Sequence, residues 1–380
     1  MAEARCAGGL KVGLAAAWRR GRLLGSPPMR SLDDLRTACR AAGARPAHER
    51  RLLQAFVRGT PLAAAGANPA VPFPQTLRAA LPALAAATAG LATVATEHPG
   101  ADGSARLLVR LADGQTVETV LLPNAGVCVS TQVGCAVGCL FCMTGRDGLL
   151  RQLGSAEIVA QVALARARRA VRRVVFMGMG EPAHNLDAVL EAIDLLGTEG
   201  GLGHKELVFS TVGDRRVFER LPRGRVKPAL ALSLHTTDPA LRRRLLPRAP
   251  AIEPAELVEL GEAYARATTY PIQYQWTLLA GVNDGDDEVE AVARLLAGKY
   301  AVLNFIPYNT VDGSGFRRPD WEHAIRLARR LHARGVLTKL RRSAGQDVDG
   351  GCGQLRSRRE AGGAGGEARA PGLDVGELRG

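Results

Sequence analysis

Aromatic side chains are scarce in this sequence: eight phenylalanines, five tyrosines and three tryptophans among 380 residues. So few rings argue against an extended base-stacking platform of the single-strand-binding kind. Long apolar runs are missing as well. No stretch approaches the roughly 18 residues that cross a bilayer, and charges interrupt any signal-like region in the opening MAEARCAGGLKVGLAAAWRRGRLLGSPP. The chain therefore reads as soluble and cytoplasmic, with no membrane partner. Cysteine is sparse, and its odd total of seven is clustered rather than spread over loops as a secreted disulfide framework would be. A reducing compartment follows, in which thiols serve as ligands or reagents. Acidic residues are in deficit, 37 against 50 Lys and Arg, for a net charge of +13. Such a field draws polyanions, nucleic acid above all; the competing reading is an arginine-rich composition that only solvates the surface. No internal repeat is visible.

The sequence divides by pattern. Residues 1–28 have no periodicity and form an irregular leader ending in GSPP, so Met29 is a candidate start. Residues 29–95 show helical spacing broken by Gly and Pro and read as a small helical accessory domain. Around Asp113-Gly114, ARLLVRLADGQTVETVLLP alternates apolar and polar residues, a β-hairpin linker over 100–125. From 126 to 356, β-rich runs alternate with amphipathic helices starting near Ser155, Asn185, Asp238, Pro254 and Asp284. Six β-α units in a row predict an α/β fold with a parallel sheet, open or curled into a partial barrel, with functional groups where strands end. The tail, 357–380, reads as disordered.

Four of the cysteines fall in CVSTQVGCAVGCLFCMTG. Cys135, Cys139 and Cys142 are spaced C-x3-C-x2-C. On a helix they would form a buried stripe, but Gly134 and Gly138 argue for a loop. A structural zinc wants four protein ligands, and only Cys128 or a distant His offers a fourth. Three close thiolates suit a [4Fe–4S] cluster with one iron left open.

These residues resemble the RlmN/Cfr-type RNA methyltransferases of the radical SAM superfamily. The likeness is carried by the cysteine stretch and, in order, by VVFMGMGEPAHNLD, LVFST, LALSLHTTDPALRRRLLP, GVNDGDDE, NFIPYN and GQDVDGGCGQL, and it runs from Thr116 to Leu355. It implies a partial (β/α)6 barrel of radical SAM type, with a [4Fe–4S] cluster on Cys135, Cys139 and Cys142 and S-adenosylmethionine on its open iron. It further implies cofactor contacts from Gly180, Glu181, Ser210, Ser233, Leu234, His235 and Asn309, all at or just past expected strand ends. By the same resemblance Cys352 accepts a methyl group, Cys128 is its partner thiol, and Glu118 is a proton acceptor. The plain alternative for Glu118 is a solvated hairpin side chain.

The implied reaction is methylation of carbon 2 of an adenosine in large-subunit ribosomal RNA, with transfer RNA as a second candidate. Carbon 2 of adenine is electrophilic, so polar methyl transfer fails there and a radical route is required. One S-adenosylmethionine methylates Cys352. A second is cleaved by an electron from the cluster, and the resulting radical takes hydrogen from the S-methyl group. The carbon radical adds to adenine, a proton leaves, and Cys128 attacks Cys352 to free the base and leave a disulfide. An external electron donor and a thiol reductant are then needed. Alternatives are methylation at carbon 8, activation of a protein partner, and iron–sulfur RNA binding without turnover. The alanine-rich accessory region, and DVDGGC where DIDAAC is more common in the family, leave the RNA target open.

Overall fold

The computed structural model describes residues 29–66, 71–311 and 313–356; the expected leader and tail lie outside them. Helix formation begins at Ser31, whose hydroxyl accepts from the Asp34 N–H at 3.0 Å while the Asp34 carboxylate accepts from the Ser31 N–H at 2.9 Å. This reciprocal cap starts α1 (Leu32–Ala41). Pro46 opens α2 (Pro46–Arg58), and Gly59 ends it in the left-handed region at φ 69°. A short α3 (Leu62–Ala65) and α4 (Gln75–Ala89) follow.

Strand begins earlier than the expected limit of helix at residue 95. β1 (Ala92–Pro99) pairs antiparallel with β2 (Ala105–Leu111), and β2 with β3 (Thr116–Leu122). The segment ATVATEHP forms a largely solvated edge, so it lacks the apolar alternation by which strands are recognised. The Asp113-Gly114 hairpin is therefore the second half of a three-stranded antiparallel extension.

β4 (Gly126–Cys128) pairs antiparallel with β3 on one side and parallel with β7 (Arg173–Phe176) on the other. Between them, β5 (Gln132–Gly134) and β6 (Leu149–Gln152) form a separate ribbon whose connection carries the cysteine loop. Next come α5 (Ser155–Arg166), β7 (Arg173–Phe176), α6 (Leu186–Thr198), β8 (Leu207–Thr211), α7 (Arg215–Arg220) and β9 (Ala229–Ser233). Then follow α8 (Pro239–Leu245), α9 (Pro254–Thr268), β10 (Ile272–Leu278), α10 (Asp286–Leu295), β11 (Ala301–Pro307), α11 (Trp321–Ala333) and β12 (Thr338–Leu340). The sheet order is β1-β2-β3-β4-β7-β8-β9-β10-β11-β12, parallel from β4 onward and not closed on itself. This is the α/β partial barrel expected. The helix starts expected at five positions are matched by α5, α6, α8, α9 and α10, whereas α7 was not foreseen. No helix among the described residues is long and apolar enough to cross a membrane.

The helix α5 is buried almost all round, because the N-terminal helices cover the face it turns away from the sheet. The Leu32 N–H donates to Ser155 Oγ at 2.9 Å, and Arg166 Nη1 donates to the Val57 carbonyl at 2.8 Å. On its sheet side Gln161 works as a buried strut. Its Oε1 accepts from the Thr119 hydroxyl at 2.8 Å and the Ser130 N–H at 2.9 Å, and its Nε2 donates to the Ser130 carbonyl at 2.9 Å. One side chain thus registers α5 against β3 and the segment leaving β4. A Gln161→Leu variant would strand these buried groups, so urea denaturation should show a loss of about 3 kcal/mol; a loss near zero would show the strut to be dispensable.

Candidate functional site

The parallel strands end along one rim, and Cys128, the Gly180-Glu181 turn, Ser233 to His235 and Asn309 lie at or just past those ends. Past β7 the chain makes a turn that only glycine accommodates. A Cβ on Gly178 would meet the Val129 carbonyl at 2.7 Å, and Gly180, at φ 105°, would drive one into the Gln132 side chain at 2.6 Å. Gln132 in turn receives the Glu181 N–H on its Oε1 at 2.7 Å. The Glu181 carboxylate is buried and accepts from the Ala183 N–H at 3.0 Å and the Val212 N–H at 2.9 Å. Burial pushes its pKa up to about 6, partly offset by these bonds and one from Thr211. The half-buried Ser210 is next to last in β8 and the half-buried Ser233 ends β9, and no hydrogen bond from either hydroxyl is made among the described residues. Leu234 is fully buried and contributes its backbone, the N–H donating to the Gln275 carbonyl at 3.0 Å.

His235 sits in the left-handed region, φ 64°, held there by Asn283, whose Nδ2 donates to the His235 carbonyl at 2.7 Å. Its Nδ1 accepts from the Thr277 N–H at 3.0 Å, and its ring meets the edge of Phe141 with centroids 4.9 Å apart. Phe141 lies between two cysteines of the cluster motif, so His235 abuts the cysteine loop. Burial, reinforced by Arg242, lowers its pKa to about 3.

The cysteine loop is cinched by two glycine contacts. A Cβ on Gly134 would fall 2.0 Å from the Gly148 carbonyl oxygen, and one on Gly145 would fall 2.7 Å from Gly138 Cα. Cys135 is buried, and Cys139 and Cys142 are half-buried. Burial raises all three thiols above the ordinary range, and each lies within electrostatic reach of another: Cys142 acts on Cys135, and both act on Cys139. Among the described residues no three Cys, His, Asp or Glu side chains converge on a single-ion site. Three thiols spread over one loop, with no fourth protein donor among them, do not suit the four-ligand zinc alternative. They do fit an iron–sulfur cube anchored at three corners.

Cys352 is exposed and Cys128 is buried at the end of β4, yet the two belong together. The Cys352 sulfur adds to the rise that burial imposes on the Cys128 thiol, and it acts on Cys142 as well. All described cysteines are reduced. The loop bearing Cys352 lies on the cysteine loop, the Met143 N–H donating to the Gly353 carbonyl at 2.8 Å and the Thr144 hydroxyl to the Leu355 carbonyl at 2.6 Å. Asn309 is a strut for it: Nδ2 donates to the Cys352 carbonyl at 2.9 Å and to Ser343 Oγ at 2.8 Å, while Oδ1 accepts from Arg318 at 3.2 Å.

Glu118 differs from the solvated hairpin residue that the sequence allowed. It has no exposure, pairs with Arg106, and accepts from the Arg356 N–H at 2.9 Å. Arg106 also donates to the Val348 carbonyl. Sequence reading missed Arg106, and it missed Arg242, a buried guanidinium that donates to the Ser233 carbonyl at 3.1 Å and to the Val212 carbonyl. Arg242 lies within electrostatic reach of Cys139 and Glu181, and burial pulls its pKa down to about 10. It is the first of three arginines on α8, in a chain where basic residues are common, so composition hid it.

The lowered pKa of His235 yields a check. A histidine that folds with a depressed pKa contributes stability that is complete above its unfolded pKa near 6.5 and is lost as pH falls toward 3. Imidazole nitrogen NMR at pH 5 should therefore show His235 uncharged; a protonated ring at that pH would contradict the described packing.

The radical SAM superfamily model matches residues 129–296. A protein of Aromatoleum aromaticum described as a probable RNA methyltransferase is 73% identical over 333 residues, 88% of this chain and 94% of that one. A probable RNA methyltransferase of Methylibium petroleiphilum is 70% identical over 327 residues, 86% of this chain and 93% of its own. The crystal structure of a radical SAM methyltransferase from Sphaerobacter thermophilus is similar with a TM-score of 0.74 and 36% identity, covering 86% of this chain and 97% of that one.

Proposed function

We propose, from the premise that this chain belongs to the RlmN/Cfr-type family of the radical SAM superfamily, that it methylates RNA. The atom we assign is carbon 2 of an adenosine in large-subunit ribosomal RNA, and the route is an S-methylated Cys352. The observation that carries this reading is the meeting of three elements: the loop of Cys135, Cys139 and Cys142, the buried Cys128, and the docked segment bearing Cys352. When bound, a [4Fe–4S] cluster and S-adenosylmethionine would supply an electron and a carbon-centred oxidant. Cys135, Cys139 and Cys142 are the residues to hold the cluster. Gly180, Glu181, Ser210, Ser233, Leu234, His235 and Asn309 are proposed to hold S-adenosylmethionine. The Ser210 and Ser233 hydroxyls, without hydrogen-bond partners among the described residues, and the bare backbone of Gly180 support that assignment.

The remaining roles follow from position. Cys352 is exposed while its backbone is fixed, which suits a thiol that must carry a methyl group and present it to a base. Cys128 is buried within electrostatic reach of the Cys352 sulfur, which suits a partner that attacks that sulfur while the base is joined to it through the former methyl carbon. The sulfur–sulfur bond forms as the bond from the Cys352 sulfur to that carbon breaks, the freed carbon takes up a proton to become the base's methyl group, and an external thiol reductant resets both cysteines. Glu118, the proposed proton acceptor, is sealed by Arg106 and Arg356, so taking a proton from the base requires the Arg356 segment to lift. The target base must be unstacked to reach this point, and the net charge of +13 supports a polyanionic substrate. Resetting two thiols fits a reducing, cytoplasmic setting.

Nucleoside mass spectrometry of ribosomal and transfer RNA should find a C2-methyladenosine that disappears on gene deletion and returns with the unsubstituted gene, but not with Cys352→Ala. A C8-methylated product would move the position while keeping the chemistry. Full modification by Cys352→Ala would exclude the route.

A further inference from the structure

Many arginines among the described residues are matched to carboxylates, as in the pairs Arg36–Glu191, Arg173–Glu206, Arg225–Asp194 and Arg334–Glu290. One cluster is not. Beside the loop that bears Cys352, a cavity of about 270 Å³ is lined by Pro307, Arg318, Trp321, Arg341, Arg342 and Gln346. It contains three guanidinium groups and no carboxylate. Arg318 is fixed by neutral oxygens, donating to the Tyr308 carbonyl at 2.7 Å, Gln346 Oε1 at 2.6 Å and Asn309 Oδ1 at 3.2 Å. Arg342 is held over the Trp321 ring at 4.7 Å, a contact that orients the cation without discharging it. Among the described residues none of the three arginines has an acidic partner. The acids adjoining in sequence, Asp320, Glu322 and Asp347, do not line the cavity, and Asp347 accepts from the Ala101 N–H at 2.8 Å.

We infer that this cavity is a binding site for backbone phosphate of the RNA strand that flanks the target nucleotide, an inference that rests on the proposed RNA substrate. Two held guanidinium groups, Arg318 and Arg342, with the exposed Arg341 beside them, match phosphate oxygens in charge and fork geometry. Location favours the same ligand. Arg318 bonds Asn309, and Asn309 bonds the Cys352 carbonyl, so the cavity wall stands two hydrogen bonds from the residue proposed to carry the methyl group. Because Arg342 occupies the Trp321 face, the cavity offers charge rather than a ring for base stacking, and it should bind strands with little regard to sequence.

The test uses the full chain and a labelled single-stranded RNA oligonucleotide, with affinity read across a salt series. Methylation of the parent RNA and S-methylation of Cys352 are followed in parallel. Arg341→Ala/Arg342→Ala should weaken binding about tenfold and flatten the log–log salt slope by about 1.4, two single-strand phosphate contacts at about 0.7 each. Lysine at both positions should restore most of the slope. As a control for net charge, Arg173→Ala/Arg225→Ala, whose arginines are ion-paired elsewhere, should change affinity by less than about twofold. Unchanged affinity and slope in the Arg341/Arg342 variant, with methylation intact, would overturn this site and leave the proposed function standing; so would equal losses in both double variants. RNA binding lost at the cavity in a protein that never methylates RNA would support the site and sink the function. An unsubstituted chain that binds no RNA would overturn both.

Discussion

A single buried ion pair fixes the loop that bears Cys352, the thiol proposed to carry the methyl group. Arg106 on β2 and Glu118 on β3 face each other with almost no access to water. A charge so placed is tolerated only when it is paired and its remaining hydrogen-bonding groups are filled. Here the filling comes from the end of the described chain: Arg106 takes the Val348 carbonyl, and Glu118 takes the Arg356 N–H. Cys352 lies midway between those anchors. The loop is thereby tied at both ends to the antiparallel extension, and further by Asp102, which accepts from the Gly345 N–H at 3.0 Å. The extension is part of the site and more than a linker.

The rim of the parallel sheet supplies the rest. Strand ends deliver backbone and short polar side chains to one line, and glycines at 178 and 180 let the β7 turn approach its neighbours closely. Around this line the buried titratable groups are balanced against each other. Glu181 is kept partly inclined toward its neutral form, His235 is kept neutral, and the buried Arg242 lies within electrostatic reach of Glu181 and Cys139. These groups are buried, whereas Cys352 and the neighbouring Arg341 and Arg342 are exposed.

How much of this could be read from sequence follows the range of the interactions. The cysteine spacing, the glycine turn after β7 and the order of strands are local patterns, and the fold they imply is the one observed. The edge strand β1 was hidden because solvent, not a core, faces it. Glu118 was open to misreading because its partner lies across a strand pair and its other anchor lies 238 residues away. Asn309 sat in a recognisable motif, but its three hydrogen bonds to Ser343, Cys352 and Arg318 depend on tertiary placement. Arg242 could have been found only by knowing that α8 turns its first arginine inward.

That the last described residues bolt onto strands near the first third of the chain has a consequence for biogenesis. While the protein is being synthesised, the cysteine loop and sheet can begin to organise, but the segment that completes the pocket is still within the ribosome. Nascent chains and products of termination before residue 356 would lack the Arg356 contact to Glu118 and the thiol beside it, so they would be unfit for the proposed S-methylation route. Chain order in this sense delays that route until residue 356 has been added.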